Sequence, residues 1–104
     1  MSEDAVLSAE FTGELYLWEA RAGSWTFVDA PVDLSEDIRV ALPAPPRGFG
    51  SVRVEVSIGA TKWRTSLFPD KARGAYVLPV KRAVLRAQKV EAGDQVTVRV
   101  AVLS

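Results

Sequence analysis

The chain has 104 residues, with 13 basic and 13 acidic side chains and neither cysteine nor histidine. That length closes one modest core. The missing residue types exclude disulfides, thiolate zinc sites and any histidine-based nucleophilic triad. No apolar run is long enough to span a bilayer, and the acidic start Met1-Ser2-Glu3-Asp4 is unlike a signal peptide. The expectation is a cytoplasmic protein without membrane contact or cofactor.

In chain order, residues 1–8 are expected to fray, leaving a single domain over residues 9–103. The first strand is predicted from about Glu10 to Glu19. Phe11, Leu15 and Leu17 share one parity, and Glu10, Thr12 and Glu14 the other. Tyr16 and Trp18 interrupt the polar side, so that face must be partly covered. After a turn over Ala20 to Gly23, Ser24 to Asp29 returns as a second strand with Trp25 and Phe27 on one face. Asp33 and Glu36 have the spacing of a capping box, and Leu34, Ile38 and Leu42 form one helical stripe. Pro43 to Pro46 stops that helix, and Arg47 to Gly50 is a mobile, basic connector.

Residues 51–68 carry the clearest hairpin signal. Val52, Val54, Val56 and Ile58 alternate without a break, and Gly59-Ala60 suits a two-residue turn with glycine first. This register sets Ile58 against Thr61, Val56 against Trp63, Val54 against Thr65 and Val52 against Leu67. Glu55 then faces Arg64 on the polar side. Pro69 to Gly74 reads as a loop and Tyr76 to Leu78 as a short strand. Pro79 suits the first turn of a helix that runs to about Lys89, with Val80, Val84 and Ala87 inward. Val96, Val98, Val100 and Val102 make the last strand.

The two halves share a plan of hairpin, short helix and valine-rich strand. Thr26-Phe27-Val28 precedes the first helix as Ala75-Tyr76-Val77 precedes the second. This repeat predicts an all-β fold, a pseudo-two-fold β-barrel capped by two short helices and complete in one chain. Charge is unevenly divided. Residues 1–46 carry two basic and nine acidic side chains, and residues 47–104 carry eleven basic and four acidic. Either the halves neutralise each other, or the second half presents a basic face to an anion or nucleic acid.

The densest set of candidate binding residues lies between Trp63 and Lys81. Lys71 and Arg73 flank Ala72 in a loop bounded by Pro69 and Gly74, a placement suited to a phosphate or carboxylate. Lys81 falls in the first turn of the second helix, where free N–H groups attract anions. Ser66 and Arg64 stand at the edge of this ligand-binding set, although Arg64 is also the natural partner of Glu55. The competing reading of Lys71 and Arg73 is a solvated turn. Trp63 has core parity, Tyr76 suits a core or a pocket rim, and Arg82, Arg86 and Lys89 form a basic helix stripe. No catalytic residues and no metal-ligand spacing stand out.

Phe11-Thr12-Gly13-Glu14-Leu15, Arg47-Gly48-Phe49-Gly50-Ser51-Val52, the run Trp63 to Ala83, and Ala92-Gly93-Asp94-Gln95-Val96-Thr97-Val98 together resemble a prokaryotic family. It is the domain-of-unknown-function family 1905. The resemblance extends from about residue 9 to 103 and implies a double-split β-barrel, the fold group that also holds the AbrB-like and MraZ-like transcription factors. That shape relation does not by itself imply DNA binding. The family has no established activity, and its members also occur fused to a domain associated with bacteriocin protection. The reading is a non-catalytic binding or interaction module for a small anion or a protein partner. The alternatives are a nucleic-acid binder using the basic C-terminal half, and a small enzyme acting on an anionic substrate through Lys or Tyr.

Overall fold

Alternating apolar residues drive most of this chain into strands. The computed structural model describes residues 5–20, 23–42, 50–70 and 72–103. In chain order its elements are β1 (Ala5–Glu14), β2 (Tyr16–Ala20), β3 (Gly23–Asp29), α1 (Val32–Ala41), β4 (Val52–Ile58), β5 (Thr61–Asp70), β6 (Ala75–Val80), α2 (Arg82–Gln88) and β7 (Gln95–Leu103). The strands form an antiparallel sheet in the order β1-β7-β4-β5-β6-β3-β2, strongly curled into a half-barrel.

The hairpin β4–β5 has the register its sequence dictates, from Val52↔Leu67 through Val56↔Trp63 to Ile58↔Thr61. A one-residue slip would move every valine to solvent, which is why the pattern fixes it. Gly59 has φ +58° and Ala60 no positive φ, as a turn with glycine first requires. β7 supplies Val96, Val98, Val100 and Val102 to the same interior, all buried. Each buried valine is worth about 1.5–3 kcal/mol of transfer free energy. Trp63 packs against this core while remaining partly exposed. Its Nε1 is buried and has no hydrogen-bond partner among the described residues.

Several expectations need correction, among them the loop expected from Pro69, since β5 runs on to Asp70. The first strand is broken at Leu15, which is fully buried. Leu15 N–H donates to Asp94 O at 2.9 Å, and Gly93 N–H donates to Leu15 O at 2.7 Å. The chain bends there, pairing with β7 before the bend and with β3 after it. Leu17 consequently lies on an edge strand and is 50% exposed, not buried. Residues 5–8, expected to fray, belong to β1, where Ala5 pairs with Leu103 and Ser8 with Ala101. α1 is capped by Pro31 with no side-chain hydrogen bond, so Asp33 lies inside the first turn as a charge favourable to the dipole.

A further correction concerns Pro79, which continues β6 instead of opening a helix. β6 pairs with β5 only from Phe68↔Val77 to Asp70↔Ala75, while its pairing with β3 extends to Thr26↔Val80. Pro79 therefore has no β5 residue in register, and a residue without an N–H is tolerated on such an edge. α2 starts three residues later and ends at Lys89, whose φ of 56° closes it. Its inward contacts are Val84 and Leu85, and Ala87 is exposed. The expected stop at Pro43 to Pro46 and the connector at Arg47 to Phe49 lie outside the described residues.

α1 is anchored by Ser35, a fully buried side chain. Its Oγ accepts the N–H of Tyr76 at 3.0 Å. Ala30 N–H donates to Tyr76 O at 2.9 Å, and the two bonds fix β6 beneath the helix. Where β1 crosses β3, Gly13 allows the close approach: a Cβ there would stand 2.8 Å from Val28 Cγ2.

Candidate functional site

The two ends of the curled sheet present different outer surfaces. On β1, β7, β4 and β5 as far as Ser66 the outward positions are mostly polar. Glu10 accepts from Arg99 Nε at 2.9 Å, and Glu55 lies 3.4 Å from Arg64 Nε and 3.9 Å from Lys62 Nζ. Glu10, Arg99, Glu55 and Lys62, with Ser57, border a shallow groove of about 650 Å³.

On β2, β3, β6 and the last residues of β5, from Phe68 on, the same surface is aromatic. The registers Tyr16↔Phe27, Trp18↔Trp25, Phe27↔Pro79 and Phe68↔Val77 put all these side chains on one face. Trp18, Trp25 and Phe68 are 52%, 53% and 43% exposed. Rings this exposed contribute little to the core.

A hollow of about 290 Å³ opens on this face, lined by Tyr16, Trp18, Phe27, Asp70, Arg73 and Val77. Trp18 stands edge-on to Phe27, with centroids 6.3 Å apart and planes at 67°. Tyr16 is tilted 36° to Phe27 at 6.1 Å. At the polar end, Tyr16 Oη donates to Asp29 Oδ1 at 2.6 Å. Arg73 Nη1 donates to Asp29 Oδ2, and its Nε lies 3.5 Å from Asp70 Oδ2. The Arg73 guanidinium also lies 4.7 Å from the centre of the Tyr16 ring. The loop is shaped by Asp70, whose Oδ1 accepts the N–H groups of Ala72 and Arg73 at 3.1 and 3.3 Å.

These contacts set the protonation of the cluster. Burial, reinforced by the hydrogen bond to Asp29, pushes the Tyr16 phenol well above its ordinary range. The bond to Asp29 raises Arg73 as well. Both groups are thus held in their protonated forms.

The candidate binding residues do not converge on one place. Lys71 lies outside the described residues. Arg73 joins the cluster with Asp29 and Tyr16. Lys81 caps α2 at the far end of β6 and borders a separate hollow of about 370 Å³ with Leu17, Trp25 and Leu85. The six-residue strand Ala75–Val80 lies between Arg73 and Lys81, a span of roughly 20 Å at the usual strand rise. Ser66 faces Arg53, and Arg64 faces Glu55, both on the outer side of the β4–β5 hairpin. Tyr76 is buried, with Arg39 over its ring at 5.7 Å.

The sequence reading passed over Tyr16, Trp18, Phe27 and Asp29. Their one local signal was the break in alternation at Tyr16 and Trp18, which marked that face as unusual without saying what stood opposite. The uneven charge resolves partly by pairing between halves, in Glu10–Arg99 and Asp29–Arg73. Among the described residues there is no group of three or more potential metal ligands, and no helix is long and apolar enough to cross a membrane.

A comparison with curated proteins gives no match. Residues 11–100 match the family described as "Domain of unknown function (DUF1905)", and the chain belongs to that family.

Proposed function

We propose that this domain is a non-catalytic binding module that uses the outer face of β2, β3, β6 and the end of β5. The observation that carries this reading is the set of exposed rings Trp18, Trp25 and Phe68 beside the ordered Tyr16–Asp29–Arg73 cluster. Aromatic residues and arginine are the side chains that most often anchor binding surfaces. Among the described residues, a non-catalytic role is supported by the two groups with displaced pKa values. Tyr16 and Arg73 both shift away from neutrality, the opposite of what a general base requires.

The anion site expected around Arg73 has less support. That guanidinium already meets two carboxylates, Asp29 and Asp70. Nucleic-acid binding through the second half is weakened by the same pairing and by Glu10–Arg99. The further proposal of a double-split barrel is supported by two strand runs that each change partner. β1 and β2 pass from β7 to β3, and β5 passes from β4 to β6.

The test is a fragment screen by protein-observed NMR, with a short DNA duplex titrated in parallel. Fragments are expected to shift the resonances of Trp18, Trp25 and Phe27. Fragments gathering instead in the Glu10–Arg99 groove would overturn the location. DNA binding with a steep salt dependence would favour the nucleic-acid reading.

A further inference from the structure

We infer that the hollow between Trp18, Phe27 and Asp70 binds a methylated ammonium group. The inference rests on the module reading above and names the ligand class. Three aromatic rings line the hollow, and the edge-on arrangement of Trp18 and Phe27 gives it two walls at a steep angle. The negative faces of such rings attract a cation that lies within about 6 Å of a centroid.

The protein's own arginine demonstrates the chemistry. Arg73 sits over the Tyr16 ring and is paired with Asp29 and Asp70, so the site already stabilises a cation by ring and carboxylate together. Asp29 holds the Arg73 guanidinium from outside the hollow, while Asp70 is on its wall. Arg39, a further described cation near this loop, is paired with Glu36 and lies over Tyr76, whose side chain points into the core. Asp70 is the carboxylate that lines the hollow, opposite the aromatic walls and beside Arg73.

Size and wall chemistry narrow the class. About 290 Å³ is at the lower limit for a ligand pocket, which suits a headgroup rather than a whole drug-sized molecule. Trp18, Phe27 and Val77 supply few groups to replace the hydration shell of a simple ammonium. A strongly hydrated lysine head loses more on entering such a place than a methylated cation does. Asp29 keeps Arg73 in position, and the incoming cation takes the space between Trp18 and Asp70.

The experiment is an NMR titration of the full chain with tetramethylammonium chloride, choline, a trimethyllysine peptide, the same peptide unmethylated, and sodium phosphate. The wild type, Trp18→Ala, Asp70→Asn and Lys71→Ala are compared. Saturable shifts of the Trp18 indole and Phe27 ring signals are expected with the methylated cations. Trp18→Ala and Asp70→Asn should each weaken them roughly five- to tenfold, and Lys71→Ala should not. Tighter binding of the methylated peptide than of choline identifies a modified side chain as the source, and the reverse identifies a small molecule. The absence of saturable shifts with every methylated cation overturns the inference, as does binding unchanged in Trp18→Ala. Equal binding of phosphate that is lost in Lys71→Ala overturns it in favour of an anion site. If fragments still settle on this face while methylated cations do not, the ligand class fails and the module reading survives.

Discussion

The polar outer surface of β1, β7, β4 and most of β5 and the aromatic outer surface of β2, β3, β6 and the end of β5 belong to the same curled sheet. Beneath both lies one interior of valine, leucine and isoleucine. The polar end places opposite charges across neighbouring strands, as in Glu10–Arg99 and Glu55–Arg64. Exposed pairs of this kind contribute under about 1 kcal/mol each and mainly keep the surface wet. The aromatic end leaves large rings in water, where they do little for the fold. What the contrast teaches is that sheet stability resides on the inner face, so the outer face can carry polar pairs at one end and exposed rings at the other.

Two tryptophans test this contrast most strongly. Trp63, on the inner side, should lose about 3 kcal/mol when changed to alanine, in the range for a large aromatic removed from a core. Denaturant unfolding measures it, and a loss under about 1 kcal/mol would show that the interior does not depend on that ring. Gly13, where β1 crosses β3, comes next. Gly13→Ala places a methyl against Val28 and should cost about 1–3 kcal/mol by overpacking. An unchanged melting temperature would show that the two ends are less tightly joined than the contact implies.

Tyr16 sharpens the comparison through pH. Its folded pKa lies above the ordinary value of 10.0, so the folded state holds the phenolic proton more tightly than the unfolded chain does. The stabilisation is fully present below pH 10 and is lost as the pH climbs through the raised value. Tyr16→Phe should cost about 1 kcal/mol at neutral pH, the usual worth of a hydrogen bond. It should also flatten the alkaline loss of stability. An alkaline limb identical in the variant and the wild type would assign that loss to other groups.

The smallest effect is expected at Trp18. Changing it to alanine should alter stability by no more than about 0.5 kcal/mol, as for a surface position. A loss comparable to that of Trp63→Ala would abolish the distinction between the two faces, because the exposed rings would then be part of the core.

How much of this was legible in the sequence depended on the distance to the partner. The β4–β5 register could be read because a two-residue turn and one buried face leave no alternative pairing. The stripe of Leu34 and Ile38 needed only helical period, and the valines of β7 only period two. At the candidate site, Arg73 was legible as a cation on a short loop. Its role was not, because Asp29 lies 44 positions away and no local pattern names it.

The sequence by itself therefore determined most of the element types, the hairpin register and the inward valines, since each follows from neighbours within a few residues. The tertiary structure alone decided that Leu15 bends one strand into two, that Pro79 rests on an unpaired edge, and that Leu17 and Trp18 stand in water. It also decided that Arg73 meets Asp29 over the ring of Tyr16. Strand order sets all four, and strand order is a property of how distant segments pack, which hydrophobic period does not encode.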